Sequence, residues 1–254
     1  MNATAEEKPA LTKVIAGFVL MFVLYQAAEG AQTVIAPGNP LGPALMVAAL
    51  AIAWPIGRWL GGNGFDRFGL ALTGRWWAVL LGGMLIAALA KLTSLAVGAA
   101  GGIYAVSVEP LAVPASAVAI ALLSTFVPSV AEDILTRGFL LTAAPIRLNL
   151  WSFTLLSALL YTANHVWRFD WGITEQVRLF CLGLAYGAAA WRWRSLWGAV
   201  ALHWGWNLTS VLADQVLALE TANMDASRII SGSAHLLLLA IVLLWVPNRR
   251  EVTA

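Results

Sequence analysis

Charge is the scarcest thing in this sequence. Only 11% of its 254 residues are Asp, Glu, Lys or Arg, while 60% are hydrophobic. A soluble domain carries about 25% charged residues. The net charge of +2 gives no ground for a nucleic-acid partner, and the nominal pI adds nothing to that. Cysteine is nearly absent as well. The single Cys181 excludes an internal disulfide and, set in an apolar run, reads as packing. There is no internal repeat, no low-complexity tail and no hydrophilic second domain, so residues 1–254 read as one integral membrane domain.

What the chain does have is long apolar runs and tryptophan. A helix needs about 20 apolar residues to cross the hydrocarbon. Stretches of roughly that kind occur at 11–28, 41–60, 76–97, 115–143, 151–167, 177–191, 196–212 and 234–246. The sequence therefore predicts an all-α fold, a polytopic transmembrane bundle of about eight helices lodged in a lipid bilayer. Seven of the 13 Trp residues (Trp54, Trp59, Trp76, Trp77, Trp151, Trp191, Trp193) fall at the ends of these runs, where an aromatic belt lies. Turn chemistry separates them: Pro37-Gly38-Asn39-Pro40, Gly61-Gly62-Asn63-Gly64 and Glu109-Pro110. The first run, flanked by Lys8, Lys13 and Ala27-Ala28, has the outline of a signal peptide. Its length and the similar spans after it favour a retained helix.

Orientation follows from Lys and Arg in the connections. With the N-terminus inside and eight alternating helices, eleven of the 15 cations fall inside: Lys8, Lys13, Arg58, Arg67, Arg75, Arg137, Arg147, Arg192, Arg194, Arg249 and Arg250. Lys91, Arg168, Arg178 and Arg228 fall outside. Both termini are thus expected in the cytoplasm. The small size and all-helical plan suit a bacterial plasma membrane.

Against this apolar background, ionisable residues within helices are costly and mark function by default. Three clusters stand out: Glu132, Asp133 and Arg137; Tyr161 and His165; His203 and Asn207. Residues four apart share a helix face, so Asp133–Arg137, Tyr161–His165 and His203–Asn207 each form one polar stripe. Asp133 can neutralise Arg137 on its own helix, leaving Glu132 as the carboxylate free to face a cavity. There it can act as a general base on water, with His165 sharing that water. His203 and Asn207 can donate to a developing oxyanion. Helix glue by buried polar groups is the bland alternative; an acid, two histidines and an asparagine are more than glue needs.

The three stripes also resemble a family. The pattern Glu-Glu-x-x-x-Arg, Phe-x-x-x-His, His-x-x-x-Asn belongs to the intramembrane glutamic endopeptidases of the CAAX prenyl protease and bacteriocin-processing (abortive-infection) group. Here it reads Glu132-Asp133-Ile-Leu-Thr-Arg137-Gly138, Tyr161-Thr-Ala-Asn-His165 and His203-Trp-Gly-Trp-Asn207. Gly183–Leu208, with Trp-Arg-Trp-Arg-Ser-Leu-Trp inside it, is similar too. The resemblance covers roughly residues 115–212, the expected catalytic core. It implies catalytic Glu132, His165, His203 and Asn207, with Asp133, Arg137 and Tyr161 in support. It implies no metal and no cofactor, and a protein or peptide substrate near the membrane. Two positions depart from the pattern: Asp133 is a methylene shorter than Glu, and Tyr161 adds a hydroxyl to Phe.

Other readings stay open. A zinc site from Glu132, His165 and His203 is chemically possible. A non-catalytic immunity or scaffold member would keep the same motifs. A transporter could use the buried charges as a proton relay, but the paired halves of one are missing. His-Glu-x-x-His, Gly-x-Ser-x-Gly and Gly-x-Gly-Asp are all absent. His235 reads as interfacial. Glu109, Glu175 and Asp214 read as solvated loop charges, and the Asn207-Leu-Thr209 sequon as an accident of a membrane helix.

Overall fold

The computed structural model describes residues 9–36, 38–108 and 113–246. The expectations that rested on Lys8, Pro37, Glu109, Pro110, Arg249 and Arg250 lie outside them. The fold is all-α, as the apolar runs predict. Among the described residues, eight α-helices follow in order: α1 Leu11–Gly30, α2 Leu41–Trp59, α3 Trp76–Ala100, α4 Ala115–Asp133, α5 Leu150–Asn164, α6 Ile173–Trp193, α7 Leu196–Val216 and α8 Met224–Trp245. Two elements were not foreseen. Strands β1 Tyr104–Val108 and β2 Leu217–Thr221 pair antiparallel, Tyr104 opposite Thr221, and tie the end of α3 to the end of α7. α4 also continues as a π-helical stretch over Ile134–Ala143.

Five helical stretches are long and apolar enough to span a bilayer: Leu11–Ile35, Leu41–Trp59, Trp76–Ala100, Ala115–Ala143 and Met224–Trp245. They make this an integral membrane protein. α5 is shorter, and α6 and α7 are more polar: α7 carries His203 and Asn207, and α6 carries Glu175, Arg178 and Arg192. They are sheltered instead. α7 is held by α3, α4 and α6, and α6 by α5 and α8. Close approach depends on small residues, as it does between membrane helices generally. A Cβ on Gly183 of α6 would stand 2.6 Å from the Ala158 Cα of α5, and one on Gly205 of α7 would stand 2.7 Å from the Met84 Cα of α3.

The last helix starts at Met224 rather than Ala234, because its first turns are amphipathic and escape an apolar count. The Asn223 side chain caps it, accepting from the Ala226 N–H at 3.0 Å. His235 is therefore not interfacial. It lies inside α8 and is fully buried, its Nδ1 bonded to the Ser231 carbonyl at 2.8 Å. Asp214 sits near the end of α7, exposed, rather than in a loop.

Candidate functional site

The site begins where α4 changes its winding. Pro128 lacks an N–H and cannot bond the Ser124 carbonyl in the helical manner. Five residues later the chain passes from α- to π-helix, a transition often met at functional sites. Glu132 and Asp133 sit at this junction and point to different places.

Glu132, 4% exposed, forms the wall of a cavity of about 130 Å³. His165, His203, Asn207 and Tyr161 line the same cavity, with Tyr25, Glu29, Arg168 and Arg178. Five of the seven residues singled out from sequence thus meet at one space. The His165 Nε2 lies 3.4 Å from Glu132 Oε1, and the His203 Nε2 lies 3.6 Å from Glu132 Oε2.

His165 reaches this place in a way the four-residue spacing does not describe. α5 ends at Asn164, and His165 is its C-cap. The Nδ1–H donates to the Tyr161 carbonyl at 2.8 Å, satisfying one of the free carbonyls of the last turn. That bond assigns the tautomer: with Nδ1 protonated, Nε2 presents a lone pair toward Glu132.

Asp133 and Arg137 do not line the cavity. Both are fully buried behind it and bonded to each other through Arg137 Nη1 and Asp133 Oδ1. Arg137 Nη1 also donates to Thr136 Oγ1 at 2.9 Å. The remaining guanidinium nitrogens make no hydrogen bond; the group lies instead over the rings of Tyr161 (4.8 Å) and Tyr186 (5.3 Å), a cation–π arrangement. His203 bridges the two acids, its Nδ1 lying 3.4 Å from Asp133 Oδ1. Tyr186 stacks on the His203 ring at 4.9 Å and 21°, and its hydroxyl meets His235 Nε2 at 2.8 Å. Because His235 gives its Nδ1–H to Ser231, Tyr186 is the donor in that bond. Asn207 Nδ2 donates to Ser129 Oγ at 3.2 Å.

Sequence reasoning missed several of these residues. Asn164 lies inside the Tyr-Thr-Ala-Asn-His motif, between the two residues that define its spacing; its Nδ2 donates to Glu132 Oε1 at 3.1 Å. Gln26 and Glu29 are polar residues three apart at the end of α1, one inside the first apolar run and one just past it, and that spacing was a usable signal. Tyr186 had none. Glu175, read as a solvated loop charge, is 1% exposed in the first turn of α6. Arg178 Nε donates to its Oε2 at 2.8 Å, Arg228 Nε lies at 3.3 Å and Arg168 Nη1 at 3.8 Å from its oxygens. Three arginines from different points of the chain bury it.

Among the described residues no set of three His, Cys, Asp or Glu side chains has the arrangement of a metal site.

Fold and cavity together define a helical membrane protein with a small polar site enclosed among its helices. Residues 114–209 match the family model described as type II CAAX prenyl endopeptidase Rce1-like, so this stretch is similar to that family of membrane endopeptidases. The match takes in all of α4, α5 and α6 and the part of α7 that carries His203 and Asn207, but not α1, α2, α3 or α8. No curated protein matches the chain, and no solved structure does.

Proposed function

We propose that the chain is an intramembrane endopeptidase of glutamic type, hydrolysing a peptide bond of a membrane-associated protein or peptide. One observation carries the reading: a buried carboxylate, Glu132, held against the Nε2 atoms of His165 and His203 at the wall of a cavity. The match of residues 114–209 to the family model of type II CAAX prenyl endopeptidases supports it.

The chemistry follows from donor and acceptor roles. A carboxylate only accepts, and His165 Nε2 is left as an acceptor by the bond from Nδ1 to Tyr161. A water lodged against both donates one hydrogen bond to each, and its lone pairs turn toward the cavity. As its oxygen attacks the scissile carbonyl carbon, Glu132 takes a proton as general base. The carbonyl π pair moves onto oxygen, and the oxyanion accepts from His203 Nε2–H and from Asn207 Nδ2 once that amide leaves Ser129. Collapse of the intermediate breaks the C–N bond, and Glu132 returns its proton to the leaving amine. The products are a carboxylic acid and an amine. Asp133 and Arg137 act from behind, the Asp133 carboxylate lying 3.4 Å from His203 Nδ1.

Comparative peptidomics of membranes from wild-type and Glu132→Ala cells tests this. The expected result is loss of at least one defined cleavage product in the variant. Identical peptide profiles would sink the hydrolytic reading in favour of a non-catalytic role.

A further inference from the structure

The matched family segment begins at residue 114, yet the contacts of Glu132 reach back to the first helix. Asn164 is 4% exposed and sits behind the carboxylate, its Nδ2 3.1 Å from Glu132 Oε1. An asparagine amide has two ends, and only the NH2 end is useful against a carboxylate. Something must choose that end. Gln26 of α1 does: its Nε2 donates to Asn164 Oδ1 at 3.0 Å and to the Asn164 backbone carbonyl at 2.7 Å. With Oδ1 engaged as acceptor, Nδ2 is turned to Glu132. The reverse orientation would set oxygen against oxygen.

α1 is itself pinned at this level. The Trp167 indole N–H donates to the Gln26 carbonyl at 3.2 Å. The indole packs where Gly30 leaves room; a Cβ there would stand 2.6 Å from the ring.

We propose that Gln26 and Asn164 are positioning residues of this site. Gln26 fixes the Asn164 amide, Asn164 fixes Glu132 Oε1, and α1 thereby completes the catalytic centre from outside the matched segment. The inference rests on the glutamic reading of Glu132. Its physical content is that Asn164 holds Glu132 Oε1 toward His165, where the attacking water is shared. A rotated carboxylate would bind substrate as before and activate water less well.

The test uses the full chain purified in detergent and a synthetic peptide spanning the cleavage site found by comparing wild-type with Glu132→Ala membranes. Asn164→Ala is expected to lower kcat about tenfold with KM unchanged, as loss of one hydrogen bond to a charged group implies. Gln26→Ala is expected to lower kcat about threefold, because the freed amide still presents nitrogen part of the time. The double variant should match Asn164→Ala alone in kcat, since Gln26 orients Glu132 only through the Asn164 side chain. Asn164→Asp, nearly isosteric, should lose more than Asn164→Ala by setting a carboxylate against a carboxylate, and it keeps the question answerable if the alanine variant does not fold. Wild-type kcat in the single variants, multiplying effects in the double variant, or effects confined to KM would overturn the proposal. If Glu132→Ala still makes the product, the glutamic reading falls first and takes this one with it. If Glu132→Ala is dead while the Gln26 and Asn164 variants behave as wild type, only the positioning role falls.

Discussion

Glu132 and Glu175 are both almost wholly buried carboxylates in the same bundle, 4% and 1% exposed, and they are partnered in opposite ways. Around Glu175 stand three arginines, Arg168, Arg178 and Arg228, each permanently charged. Around Glu132 stand two histidines and an asparagine, with a cavity in front. Arginine cannot give up its proton; histidine can. The Glu175 cluster is therefore an electrostatic rivet that fastens α6 to α8 and to the segment after α5. The Glu132 cluster has groups that can exchange protons and room for the molecule they would exchange them with. Burial alone does not mark a functional acid; the titratability of its neighbours and the space before it do.

The largest expected effect breaks the comparison on the Glu132 side. Glu132→Gln keeps the volume and removes the base, so cleavage of the target peptide should fall by about 10²- to 10⁴-fold. Thermal unfolding in detergent should move little, because the amide still accepts from Asn164. A variant that unfolds as readily as it loses activity would make Glu132 structural, like Glu175. The converse change, Glu175→Gln, should do the opposite. It leaves three guanidiniums without their central countercharge. Removing one partner of a fully buried pair costs about 3–5 kcal/mol; here Arg168 is 32% exposed and Arg228 keeps Asp225 at 3.1 Å. A loss of about 2 kcal/mol is therefore expected, read as a lower unfolding midpoint, with activity per folded molecule close to wild type. A steep fall in activity without a fall in stability would mean that Arg168 and Arg178 serve the cavity they line rather than the fold.

The same contrast explains what was legible in the sequence. The eight helices could be read because apolar length is a local property, and seven of the eight starts fall within a few residues of the apolar runs. The exception is α8, whose first turns carry Asp225, Arg228 and a buried glycine and so lack the apolar signature. The strand pair Tyr104–Val108 with Leu217–Thr221 joins segments more than a hundred residues apart, and no local pattern announces it. In the site, spacing of four gave Asp133 with Arg137 because both lie on one helix. It could not give Glu175 with Arg228, or Gln26 with Asn164, since those pairs exist only once separate helices pack. From sequence alone, charge in a connecting segment reads as solvated. Glu175 shows that such a residue is buried when arginines from elsewhere converge on it. His235 was misplaced for the same reason: its partner, Tyr186, lies on another helix.

The second pair of residues to compare is Tyr186 and Tyr161, two buried rings under the Arg137 guanidinium. The Tyr186 hydroxyl has a partner in His235. Tyr186→Phe keeps the stack on His203 and leaves the His235 Nε2 buried and unpaired, so a loss of about 1–2 kcal/mol of stability is expected. Activity should fall by less than that of Glu132→Gln, since His203 keeps its contacts to both acids.

Tyr161→Phe should do least. Its hydroxyl makes no hydrogen bond among the described residues, yet it is not among the buried polar atoms left without a partner; Tyr161 lines the cavity. Removing the oxygen therefore strands no buried group. The ring stays under Arg137, and its T-shaped contact with His203 at 5.8 Å survives. The backbone carbonyl that receives the His165 Nδ1–H is unaltered by the change. Stability should move by less than about 1 kcal/mol, because no desolvated partner is lost. Phe is also the residue the resembled pattern has at this place, so activity should stay within a few-fold of wild type. A fall of tenfold or more, with the unfolding midpoint unchanged, would show that the hydroxyl contacts the substrate or its water. In that case Tyr161 would move from the wall of the cavity to its chemistry.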